Sequence, residues 1–252
     1  MKTVQKFGAV PILALTLGLG VAGLYLRVLM LGGQKWAYPA LWVISVVAIA
    51  ALAGISVLMG KRNEPEKNFS KDLPAGWIML LGAGMAFVSH LMTLLNTPDL
   101  FDTAAAALGL VGAVCLGLQG RLRMDGKVSA PAGMVAALSL AVCHLSSFRH
   151  WSSDPLLGDY CFRLLAGVFA MLATYNLAGF PLGLGKRRLS LFYTHCAMVF
   201  CLISLADSGV GSKLFYGGVA LWLLAGSCTR KMPASPRRKL GGGYVEEVSE
   251  ED

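Results

Sequence analysis

Residues 38–59 read YPALWVISVVAIAALAGISVLM, 22 positions without an acid, a base or a side-chain amide, and Gly60–Lys61–Arg62 follows at once. At 1.5 Å per residue, a helix of that length crosses a hydrocarbon core about 30 Å thick. The run shows no alternation of apolar and polar residues, so it does not read as a barrel strand. In lipid the backbone must satisfy its own hydrogen bonds, which leaves the helix.

Seven further blocks of the same kind flank it, at about 9–31, 74–95, 103–120, 131–148, 160–183, 189–206 and 214–229. The predicted fold is an all-α polytopic transmembrane bundle of about eight helices. Composition agrees, because only 14% of the 252 residues are charged and 56% are hydrophobic, against about 25% charged in soluble domains. Residues 1–232 read as the transmembrane helical domain. Residues 233–252 carry Arg237–Lys239, three glycines and then Glu246, Glu247, Glu250, Glu251 and Asp252, the composition of a flexible charged tail.

The net charge of +8 is distributed as membrane topology requires, which argues against a nucleic-acid partner. Of 22 basic residues, 17 fall near the N-terminus, in the 61–71, 121–127 and 186–188 connections, or after residue 229. The opposite connections hold only Lys35, Arg149 and Lys213, together with the acids Asp99, Asp102, Asp154, Asp159 and Asp207. Positively charged loops stay in the cytoplasm, so both termini are predicted cytoplasmic in a cell membrane, that of a bacterium being the expected setting. Lys2 and Lys6 before Pro11–Gly23 imitate a signal peptide, with Ala22 near the expected cleavage point. The apolar run continues through Leu31 without an A-x-A site, however, so the first block reads as a span. The Asn68–Phe69–Ser70 sequon falls on the predicted cytoplasmic side.

Small residues recur every four positions in three blocks: Ala14, Gly18 and Ala22; Ala105, Gly109, Ala113 and Gly117; Gly133, Ala137 and Ala141. Residues four apart share a helix face, and small ones let backbones approach, so these are predicted contact seams within the chain or with a second protomer. Pro11 and Pro131 stand just before the first and third stripes, and Gly60–Lys61–Arg62 matches Gly185–Lys186–Arg187. Together they suggest a parallel four-plus-four duplication.

An ionisable residue inside a span is a site hypothesis by default. Arg27, Arg163, His90, His144 and Asp207 all fall in the outer half or at the outer end of predicted spans. They are the expected substrate-binding set, the two arginines forking onto a carboxylate or phosphate. The plainer alternative has both arginines paired with Asp207 or Asp159, or snorkelling to the interface. His90, His144 and His150 lack metal-ligand spacing, so neither a metal nor another cofactor is expected. His195, beside Tyr193 and Thr194, suits a helix-to-helix hydrogen bond. Tyr175 and Asn176, before Pro181, suit packing or a cavity wall. The six cysteines lie in or beside apolar blocks without a CxxC pair, as buried apolar side chains do.

No acid lies deep in a predicted span, no phosphate loop occurs, and no G-x-S-x-G appears, so no catalytic residue is assigned. The layout suits a small-solute permease or a transporter's membrane subunit first. A non-catalytic scaffold or sensory subunit comes second, and a membrane-embedded enzyme acting on lipid third. Lipid is the expected surrounding, with protein partners or a homo-oligomer reached through small-residue faces. A reporter fused after Lys239 is expected to read cytoplasmic by protease protection, and an external reading would overturn the topology.

Overall fold

The computed structural model describes residues 9–58, 71–96, 99–151, 157–207 and 209–228. Among them are eight α-helices and no strand: α1 (Ala9–Leu31), α2 (Ala37–Leu58), α3 (Leu73–Asn96), α4 (Leu100–Met124), α5 (Ala130–Trp151), α6 (Leu157–Gly179), α7 (Arg187–Ser204) and α8 (Val210–Cys228). Each apolar block is one helix. The tail 233–252, the first eight residues and the Asn68 sequon lie outside the described residues.

Several helix ends differ from expectation, and two of them are informative. α6 stops at Gly179 instead of running to 183, because Pro181 cannot continue it. The amides of Leu182, Leu184 and Gly185 return to the Gly179 carbonyl, and Gly183 takes a φ of +72° to close the turn. α4 instead runs into the basic cluster expected to be a loop, through Arg121 and Arg123, so Arg123 is helical and fully buried.

Helices α1 to α6 are long and apolar enough to cross a membrane, which is compatible with a membrane protein. Mean hydropathy falls from 2.6 in α2 to 1.5 in α6 as the buried share of the helix rises from 22% to 44%. Apolarity thus follows exposure, the inverse of a soluble domain. Val43, Trp77, Leu81 and Leu138 stand exposed, whereas the interior is rich in alanine, glycine and hydroxyl side chains. α7 carries this furthest: from Thr194 to Ser204 every residue but Leu202 is buried, His195 among them.

Helices α3 to α8 pack each on the next, and α8 returns to α3, closing a ring of six. α1 and α2 pack together and onto α7. The helices run alternately up and down. Gly76 at the start of α3 meets Met124 at the end of α4, and Gly133 early in α5 meets Ala178 late in α6. Two equivalent four-helix halves would pair α2 with α3 as α6 pairs with α7, and α5 with α3 as α1 pairs with α7. Neither pair is substantially packed, so the suggested duplication is not carried into the packing.

The small-residue stripes divide in two. Ala105, Gly109 and Ala113 of α4 and Gly133 and Ala137 of α5 are buried within the chain. Ala14 and Gly18 of α1 are exposed, and α1 faces α7 instead through Gly20 against Leu202 and Gly23 against Ile203. The tightest crossing is between α3 and α8. A Cβ on Gly82 would strike the Gly218 carbonyl and stand 2.9 Å from the Trp222 amide nitrogen. Backbone cannot yield as a side chain can, so Gly82→Ala should cost about 1–3 kcal/mol as overpacking. Gly84→Ala, with nothing within 4 Å, should be neutral or gain up to about 1 kcal/mol of helix propensity. Thermal unfolding of the two variants checks the contrast.

Candidate functional site

The site is built where helix ends meet. Asp207 follows the C-terminus of α7 and is 3% exposed. Its Oδ1 accepts from Arg27 Nε at 3.0 Å and lies 2.9 Å from Arg27 Nη2. Its Oδ2 accepts from Arg163 Nε at 2.7 Å. A carboxylate at a helix C-terminus meets the negative end of the helix dipole, which the two guanidiniums offset. Phe162 packs on Arg27 and Tyr160 on Arg163, at 5.5 and 5.9 Å from ring centre to guanidinium carbon. Three of the five residues expected from sequence are therefore one ionic cluster joining α1, α6 and the end of α7.

The other two, His90 and His144, line a cavity of about 330 Å³ between α3, α4, α5, α6 and the start of α8. Arg163 lines it as well, whereas Arg27 and Asp207 stand behind the wall. Each histidine lies on a glycine of the next helix. A Cβ at Gly109 would fall 2.5 Å from His90 Nδ1, and one at Gly167 would collide with the His144 ring. Phe215 meets His90 edge-on at 5.3 Å between ring centres. From Leu140 to Ser147 on the α5 wall, the cavity runs about 10 Å along the bundle.

The opposite wall holds a group that the sequence reading set in a loop. Asp102 lies in the first turn of α4, is 7% exposed and lines the cavity. The helix dipole favours an acid there. Its Oδ1 accepts a short hydrogen bond from Ser146, and its Oδ2 lies 2.6 Å from His150 Nε2 and 3.8 Å from Arg149 Nη2. Arg149 also pairs with Asp99 and sits over Phe101 at 4.9 Å. Arg149 and His150 belong to the last turn of α5 and not to a loop. The cue in the sequence is an acid three residues into an alanine-rich helix, but its burial is invisible there. Asp154 lies outside the described residues.

Comparison with the known proteins gives a plain result. No family model, no curated protein and no solved structure matches the chain.

The remaining sequence candidates fall outside the cavity. His195 Nδ1 lies 2.9 Å from Thr16 Oγ1, which donates its one proton to the Ile12 carbonyl at 2.8 Å. Both bonds hold when Nδ1–H donates, which makes His195 a tie between α7 and α1. Tyr175 is 58% exposed on the outside of the bundle. Asn176 Oδ1 accepts from the Lys186 amide at 3.1 Å, just before α7. All six cysteines are free, and the described residues hold no cluster of three His, Cys, Asp or Glu side chains placed to share a metal ion.

Buried ion pairs are far more sensitive to losing one member than to losing the set. Asp207→Asn leaves two guanidiniums on one neutral amide, so it should cost about 3–5 kcal/mol. Arg27→Met, which keeps the Arg163–Asp207 pair, should cost less. Thermal unfolding in detergent that ranks the two the other way would refute this account of the cluster.

Proposed function

We propose that the chain is a small-solute permease, or the solute-binding membrane subunit of a transporter, with eight spans and both termini cytoplasmic. One observation carries the reading: a cavity walled by Asp102, Arg163, His90 and His144 inside a closed helix ring. Ionisable groups are expensive in a membrane interior and collect where a polar solute or water is handled. The volume is at the low end of the roughly 300–1,000 Å³ of small-molecule sites, which favours a small solute over a lipid tail.

The eight-span topology draws support from the burial gradient. α7 and α8 fall short of the length and apolarity that mark α1 to α6, and they are also widely shielded by neighbouring helices. A helix surrounded by protein need not match lipid. The cavity lies at the end where the basic residues are fewest, which is the external end in this reading.

The exposed Ala14–Gly18 face of α1 favours a second reading, a scaffold subunit whose partner helix packs there. Co-purification of a stoichiometric second protein that Gly18→Leu releases would favour it.

The permease reading is tested on the purified chain in nanodiscs, screened by thermal unfolding against sugars, polyols, amino acids, carboxylates and nucleobases. A solute at about 100 times its Kd stabilises by about 2.7 kcal/mol, enough to raise the midpoint by several degrees. Ser212→Phe, which fills the cavity from its wall, should abolish that rise and stop uptake of the same solute into proteoliposomes. No rise with any class, or a rise that Ser212→Phe leaves intact, would remove the cavity from consideration as the site.

A further inference from the structure

Resting on that reading of the cavity, we infer that its ligand is a small zwitterion of the α-amino acid kind, its carboxylate facing Arg163 and its ammonium facing Asp102. The argument starts from where the charges stand. Arg163 enters the cavity wall from α6, and Asp102 enters it from α4, with α5 between them. The two walls are thus of opposite sign within one space of about 330 Å³.

Each charge is also held from behind. Arg163 is fixed through its Nε by Asp207, and Asp102 is fixed through Oδ2 by His150. Neither Asp207 nor His150 lines the cavity. The supporting partners therefore orient the wall groups without occupying the space in front of them, as a binding site needs. Ser146 shares the wall and donates to Oδ1 of Asp102. A carboxylate oxygen accepts two hydrogen bonds with ease, so both oxygens keep capacity for an ammonium donor. A guanidinium carries five N–H donors in a planar fork, a geometry that suits a carboxylate.

The sign pattern selects against other solutes of the same size. In a poorly solvated cavity an ion facing an unlike wall group gains, and one facing a like group loses. A simple anion satisfies Arg163 but sets its charge against Asp102, and a simple cation does the reverse. A neutral polyol leaves both walls without their best partner. Only a ligand with both charges, a few bonds apart, answers both walls. His90 and His144 add polar ring edges to the wall, and Phe215 and Leu140 add apolar surface for a side chain.

The test uses the full-length chain in nanodiscs and measures Kd by calorimetry for the twenty standard L-amino acids. Any amino acid that binds is then compared with its N-acetyl form, its amide and its N-acetyl amide, which remove the ammonium, the carboxylate charge or both. At least one amino acid is expected to bind, with each single-charge form at least 10-fold weaker. Asp102→Asn should weaken the amino acid by at least 10-fold while leaving its N-acetyl form unchanged. Asp102→Glu should recover part of the loss, which guards against a merely misfolded variant. Equal binding of the amino acid and either single-charge form would overturn the inference, as would no binding by any of the twenty. If sugars, polyols or simple carboxylates bind instead and Ser212→Phe blocks them, the cavity reading stands and the zwitterion falls. If no solute of any class binds, both fall.

Discussion

Asp207 places a carboxylate at the buried end of α7, and the geometry around it follows from the need to compensate that charge. The bare desolvation cost of such a group amounts to several kcal/mol even after relaxation. Compensation comes from two helices far apart in sequence, Arg27 of α1 and Arg163 of α6. Because both oxygens are used by different helices, the carboxylate fixes the rotation and depth of each against α7. α1 needs this, since it stands outside the six-helix ring and otherwise meets α7 through glycine-to-aliphatic contacts. Its second polar tie, Thr16 to His195, lies about 17 Å further along the same two helices. Two polar contacts so far apart set the register of α1, which apolar packing alone leaves free to slide.

The same economy of polar groups explains why the fold was legible. Backbone satisfaction in an apolar surround makes long apolar runs into helices, and the eight runs were visible directly. What escaped was the extent of α4, because Arg121 to Lys127 reads as a basic loop when its surroundings are unknown. In the structure Gln119 clasps the Ser129 backbone through both its amide atoms, and Arg123 is fully buried among α4, α6, α7 and α8. A buried arginine and a loop arginine have the same one-letter pattern. The α1 stripe misled for a related reason. Spacing of four identifies a face but not its direction, and the face that packs is Thr16, Gly20, Gly23 and Arg27.

The site was legible by half. Depth along the predicted spans brought His90, His144, Arg163, Arg27 and Asp207 to one end of the protein, and the structure sets them in one connected region. Their division into cavity wall and support was not readable, because it depends on which side of α6 each contact falls. Asp102 was counted among loop acids, since it follows Pro98 and Asp99 in sequence. Its three partners stand 44 to 48 positions away on α5, a separation over which no spacing rule speaks.

The cavity has a floor, and the floor is made of close backbone contacts. Below the two histidines, Trp222 Nε1 donates to the Leu116 carbonyl at 3.1 Å, joining α8 to α4 across the ring. Gly82 and Gly218 bring α3 and α8 into backbone contact at the same side. Helices that meet through glycine gain van der Waals contact along the backbone itself, at the cost of tolerating no added side chain there. Below its two histidines the cavity therefore ends on helices packed backbone to backbone, with no room for a further side chain between them. The Asp207 cluster ties α1, α6 and α7 by charge beyond the end of α7, so the bundle is held by ion pairs at that end and by backbone contact at mid-height.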